Sequence, residues 1–79
     1  MFDVTIRVTV VNQRGVLAKV AAAIAEHGSN IDNVGMDEDH SAYTGMQFTL
    51  QVTDRVHLAR VMRGLRHIPE VIRIARMRG

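Results

Sequence analysis

The hydrophobic residues of this chain change their spacing as the sequence proceeds, and that change limits which elements can form. Phe2, Val4, Ile6, Val8 and Val10 alternate with Asp3, Thr5, Arg7 and Thr9. Period two among β-branched residues predicts a half-buried strand, because successive side chains of a strand point to opposite faces. Asn12, Gln13, Arg14 and Gly15 break that alternation. Leu17, Val20, Ala21 and Ile24 then recur at i, i+3, i+4 and i+7, which lines one face of a helix, so a helix is expected from about Val16. Gly28 is placed to end it, since the residue just past a helix often needs a left-handed backbone.

The same switch then recurs. A second strand is expected from about Asn30 to Asp37, with irregular alternation because Asn33 and Gly35 share a face with Ile31. Residues 37 to 45 are polar and contain Gly45, as a hairpin connection would be. Met46, Phe48, Leu50 and Val52 alternate with Gln47, Thr49 and Gln51, which predicts a third strand. Asp54 is a good helix N-cap, and Leu58, Val61, Met62 and Leu65 follow at helical spacing. Ile68-Pro69 stops that helix, because the residue before proline disfavours α geometry. Val71 to Met77 reads as a last strand, with Ile72 and Ile74 pointing inward.

The order β-α-β-β-α-β predicts one α+β domain over residues 1 to 79. The matching architecture is ferredoxin-like: a four-stranded antiparallel sheet with two helices on one face. The other face would carry Thr5, Arg7, Thr9, Gln47, Thr49 and Gln51, polar enough to stay wet or to meet a partner.

A chain of 79 residues buries a small core, with about 60% of its unfolded surface removed from water. It has no cysteine, so neither a disulfide nor a thiolate metal site supports that core, and dimerisation is the expected reinforcement. No apolar run approaches the roughly 18 residues of a membrane span, and no signal-like segment opens the chain. A soluble, cytoplasmic domain without membrane contact is expected.

Chemistry is sparse. Ser29 and Ser41 have no convincing histidine partner, and neither a phosphate loop nor a dinucleotide fingerprint is present, so no catalytic residue is assigned. Asp37, Glu38, Asp39 and His40 have side chains that suit divalent ions, but no second ligand cluster has matching spacing. They read as a solvated hairpin tip, and neither a metal nor another cofactor is expected. His27, His40, His57 and His67 are scattered and receive no role.

Two features carry sharper readings. At the first turn, Gly15 permits a backbone conformation closed to other residues. The amides of Gly15, Val16 and Leu17 lie at a helix N-terminus without intrahelical partners and could hold a carboxylate. Asn12 adds donors and acceptors. The plainer reading is a tight connection that needs glycine for geometry alone. The second feature is charge. Net charge is only +2, yet seven of ten basic residues fall in residues 55 to 79, where Glu70 is the only acid. Arg60, Arg63 and Arg66 stand three apart on the second helix, either as a solvated face or as contacts to RNA phosphates or an acidic protein. Phe2, Tyr43 and Phe48 are too few to build an aromatic RNA-stacking platform.

The run Asn12-Gln13-Arg14-Gly15-Val16-Leu17, the alanine-rich helix after it, and Gly28-Ser29-Asn30-Ile31 together resemble the ACT domain family across the whole chain. That resemblance implies a regulatory module that pairs side by side and often binds amino acids. It implies a ligand site at Asn12, Arg14, Gly15, Val16 and Leu17, completed by Asn30 and Ile31 across a dimer interface. Many amino-acid-binding relatives carry aspartate and proline where this chain has Asn12 and Arg14, and asparagine offers an ammonium no ionic partner.

The second half, from Asp54-Arg55 through His57-Leu58-Ala59, Met62-Arg63, Leu65-Arg66 and Pro69 to Val71-Ile72-Arg73-Ile74, is similar to the extreme C-terminus of the long RelA/SpoT enzymes, above all their SpoT-like bifunctional branch. Those enzymes make and degrade (p)ppGpp in the stringent response. The resemblance implies that this segment is not itself the enzyme but a C-terminal piece of a GTP pyrophosphokinase and pyrophosphohydrolase, with Met1 a start residue and Gly79 near the parent's end. Its expected partners are a second copy, an amino-acid effector, the parent's own catalytic domains and the ribosome. The alternative is a module that docks on ribosomal RNA or on the parent's domains without binding a metabolite.

Overall fold

The computed structural model describes residues 2–37 and 42–77. The elements are β1 (Phe2–Val11), α1 (Val16–Glu26), β2 (Asn30–Met36), β3 (Tyr43–Val52), α2 (Arg55–Arg66) and β4 (Val71–Met77). The strands form one antiparallel sheet in the order β2-β3-β1-β4. This is the ferredoxin-like arrangement expected from the element order.

The two long strands sit at the centre because they carry the cleanest alternation. β1 and β3 pair from Phe2 opposite Val52 to Val11 opposite Tyr43 without a break in register. Val4, Ile6, Val8 and Val10 therefore face the same side as Met46, Phe48, Leu50 and Val52, and all eight are buried. Phe2 stands at the strand's open end and stays partly exposed. Val16, Val20 and Ile24 of α1, with Leu58, Val61 and Leu65 of α2, close over that layer as one hydrophobic core.

Each edge strand carries a bulge, and each bulge changes which residues face inward. In β4, Val71 lies opposite Val10 and Ile74 opposite Val8, with a register shift between Val10 and Thr9. Ile72 falls in that irregularity and is 55% exposed. The expected inward pair Ile72 and Ile74 is thus replaced by Val71 and Ile74, because one extra residue in a strand reverses the alternation beyond it. In β2, Ile31 lies opposite Leu50 and Asn33 opposite Thr49, so Asp32 is the extra residue. Val34 and Met36 then pair with Phe48 and Met46 on the core side. The irregular alternation expected for β2 is resolved by this bulge: Asn33 and Gly35 do not share the face of Ile31.

Two further expectations need correction. Gly45 belongs to β3, not to the hairpin connection, since β3 begins at Tyr43. The inward stripe of α1 starts at Val16, and Leu17 lies at its exposed margin. Of the acidic tip, only Asp37 lies among the described residues; Glu38, Asp39 and His40, like Ser41, lie outside them.

The helix ends follow the local chemistry. Asp54 caps α2, its carboxylate accepting the His57 amide at 2.8 Å. Gly28 adopts φ +75° just past α1, as its position predicts. Among the described residues no helix is long and apolar enough to cross a membrane.

Candidate functional site

The turn between β1 and α1 is held from both sides. The Val11 amide donates to the Glu70 carbonyl and the Asn12 amide to the Ala42 carbonyl, each at 2.8 Å. The Gln13 amide folds back to the Val11 carbonyl, also at 2.8 Å. Gly15 then adopts φ +82°, ψ −1°, a left-handed conformation in which a β-carbon would strain the backbone although no atom lies within 4 Å of where it would sit. That one residue turns the chain into α1.

Capping is incomplete at this end. Gly15 has no side chain to cap with, the Val16 amide reaches the Gln13 carbonyl only at 3.4 Å, and the first regular bond runs from the Lys19 amide to the Gly15 carbonyl at 3.1 Å. The Gly15, Leu17 and Ala18 amides donate no backbone hydrogen bond among the described residues. The positive end of a helix of 11 residues therefore carries unclaimed donors.

Two of these three residues, Gly15 and Leu17, border a cavity of about 90 Å³. Val10, Leu17, Met36 and Met46 form its apolar wall, Asn12, Gln13 and Thr44 contribute polar groups, and Gly15 and Val16 close one side. Since roughly 10–15 Å³ of such space admits one water molecule, the cavity takes a group of several heavy atoms. It is smaller than the roughly 300 Å³ at which enclosed drug-sized sites begin. Met36 reaches this wall because the Asp32 bulge puts it on the core side, a placement that the uneven alternation of β2 does not by itself specify.

Of the residues expected here, Asn12, Gly15, Val16 and Leu17 line the cavity. Arg14 is exposed beside it and outside the lining. Asn30 and Ile31 stand at the other end of β2, opposite Gln51 and Leu50, so within one chain they do not meet the turn. Val10, Gln13, Met36, Thr44 and Met46 were not foreseen; the alternation of β1 and β3 marks Val10 and Met46 as inward but not as cavity wall.

The arginines of α2 separate. Arg60 and Arg63 border a second cavity with His27, Gly64 and His67, whereas Arg66 is not part of it. At 100° per residue, Arg60 and His67 are about 20° apart around the helix and Arg66 is about 120° from Arg60. Of the described histidines, His27 and His67 thus meet at this cavity, while His57 has a separate structural role; His40 lies outside the described residues. The His57 Nδ1 accepts the Thr53 amide at 3.0 Å, which makes Nε2 the donor to the His27 carbonyl at 2.7 Å. His57 thus ties the first turn of α2 to the end of α1. Among the described residues no cluster of His, Asp or Glu is arranged to hold a metal ion.

Comparison with known proteins gives a consistent answer. The ACT domain family model matches residues 1–76. The chain is 38% identical over 77 residues to the bifunctional (p)ppGpp synthase/hydrolase SpoT of Escherichia coli K12, a match covering 98% of this chain and 11% of that protein. The chain thus spans about a tenth of the curated relatives it matches. The crystal structure of the ACT domain from the GTP pyrophosphokinase of Chlorobium tepidum superposes with a TM-score of 0.83 at 18% identity, covering 96% of this chain and 97% of that one. The regulatory subunit of aspartate kinase from Thermus thermophilus, in its ligand-free form, gives 0.71 at 22% identity, covering 92% and 50%.

Proposed function

The chain belongs to the ACT domain family, and from that membership we propose that it is the regulatory module of a (p)ppGpp synthetase/hydrolase, sensing a small apolar amino acid at the β1–α1 turn. The parent is argued from the 38% identity to a SpoT segment, sustained over nearly the whole chain. The regulatory role is argued from the family. The single observation that carries ligand sensing is the cavity in which unclaimed helix amides and an apolar wall meet around Asn12, Gly15 and Leu17.

The division of labour follows from the groups present. A carboxylate is held by the Gly15 and Leu17 amides and favoured by the helix dipole. The ammonium finds no anion at Asn12, only a neutral amide, so its contribution is a hydrogen bond rather than an ion pair. The remaining affinity comes from covering a side chain with Leu17, Met36 and Met46, which favours apolar over charged amino acids. Arg14, exposed at the mouth, adds attraction for the carboxylate.

Dimerisation completes the reading. Asn30 and Ile31, absent from the cavity within one chain, would come from the second copy, and Val34 and Met36 leave apolar surface on the β2 edge for that contact. A ligand that bound the paired form better than the unpaired one would shift the parent's balance between synthesis and hydrolysis by its differential affinity alone.

The test is an amide-shift titration of the labelled chain with each of the twenty amino acids. Saturable shifts at Gly15, Val16, Leu17 and Met36 with an apolar amino acid are expected. Silence across the panel from a folded protein would refute amino-acid sensing, and sedimentation at 8.8 kDa at high concentration would refute the dimer.

A further inference from the structure

We propose that the cavity between the end of α1 and the second half of α2, bordered by His27, Arg60, Arg63 and His67, binds a phosphate group. The cavity measures about 280 Å³, roughly three times the 90 Å³ at the turn, and the two share no residue. Apart from Gly64, every residue bordering it carries a guanidinium or an imidazole. No carboxylate borders it, and among the described residues neither Arg60 nor Arg63 is paired with one. A merely solvated helix face usually mixes signs; here the basic groups of two helices converge on one hollow.

The packing of the helices makes the hollow. Gly64 has no side chain, and the His27 ring occupies the space: a β-carbon on Gly64 would lie 2.7 Å from His27 Nε2. The ring is anchored by Nδ1 to the Ala23 carbonyl at 2.8 Å, with Nδ1 as the donor, since a carbonyl can only accept. That leaves His27 with Nε2 at the α2 side. Arg60 and His67 lie nearly in line along α2 and Arg63 beside them, so the groups project from one stripe.

Helix electrostatics gives a plainer reason for some of these residues. Arg63 and Arg66 stand in the last turn of α2, where cations are favoured by the dipole. That accounts for Arg66, which is outside the cavity, and in part for Arg63. It does not account for Arg60, a turn and a half earlier, or for the histidine of another helix beside it. Arginine suits this role because its planar fork matches two phosphate oxygens at once. The phosphate can belong to a free nucleotide or to an RNA backbone, since both present the same tetrahedral oxygens.

The experiment is a titration of the 79-residue chain with inorganic pyrophosphate at low ionic strength, followed by amide shifts. Saturable shifts at His27, Gly64 and His67, with the turn amides unmoved, are the expected result. R60Q/R63Q should weaken binding at least tenfold, while R66Q, which removes an equal charge from outside the cavity, should change it less than twofold. All three arginines are exposed, so these variants keep the fold, which circular dichroism checks. Guanosine 5′-diphosphate and oligouridylates of increasing length then separate the sources: length-dependent affinity with a steep salt slope means RNA, and a length-independent single site means a nucleotide. No saturable shift with pyrophosphate, or an R66Q loss equal to that of R60Q/R63Q, overturns the proposal.

Discussion

The Arg7 guanidinium on β1 reaches across β3 to hydrogen-bond the Asp37 carboxylate at the end of β2, passing over the backbone of Gly45. Three strands are thus linked on the open face by one side chain, and the middle strand has a glycine where the link crosses it.

The link is partly solvent-exposed, with 39% of the Arg7 side chain and 42% of that of Asp37 accessible. Exposed pairs contribute little, so a double-mutant cycle of Arg7→Ala and Asp37→Ala should show a coupling below about 1 kcal/mol that shrinks in high salt. A methyl group at Gly45 meets the flexible ends of both side chains, not backbone. Gly45→Ala should therefore cost no more than about 1 kcal/mol in urea denaturation, because only the pair must move.

Gly15→Ala isolates a backbone effect. Its φ of +82° disfavours any β-carbon, yet nothing lies within 4 Å of the site, so the cost should be conformational alone, about 1–2 kcal/mol. The contrast is Leu17→Ala, which removes an exposed side chain from the cavity wall. It should change stability by less than about 1 kcal/mol while abolishing the amino-acid shifts proposed for the turn. A Leu17→Ala variant that bound normally would remove the apolar wall from the recognition scheme.

The bulge in β4 makes neighbouring isoleucines unequal. Ile72 is largely exposed and Ile74 packs on the core. Ile72→Ala should change stability by about 0.5 kcal/mol and Ile74→Ala by about 2 kcal/mol, measured as shifts in the urea midpoint. Equal losses would mean that the strand keeps a regular alternation.

Asp54→Ala should cost about 1 kcal/mol by freeing the His57 amide at the start of α2. Because His57 also bonds the His27 carbonyl, the amide shifts of His27 and Gly28 should move as well, which a purely local cap would not cause.

Much of the fold was legible before the structure. Period two in β1 and β3, the Asp54 cap, Gly28 and the Ile68-Pro69 stop are local signals, each fixed by sterics or hydrogen bonding within a few residues. Gly15 was legible for the same reason, since a glycine between a strand pattern and a helix pattern marks a turn. The edge strands were not. Their bulges arise where a short strand meets the register set by the long central pair; the uneven alternation of β2 signalled an irregularity without locating it at Asp32, and no residue of β4 announced the one at Ile72.

The two cavities divide along the same line. The sequence alone determined that a helix N-terminus with free amides follows Asn12, because that depends on the chain's own order. Only the tertiary structure decided that Met36 and Thr44 would wall it, that Asn30 and Ile31 would lie at the far end of β2, and that His27 would join Arg60, Arg63 and His67. Those neighbours are chosen by strand register and helix packing, which depend on how surfaces distant in sequence fit together, and not on any spacing along the chain.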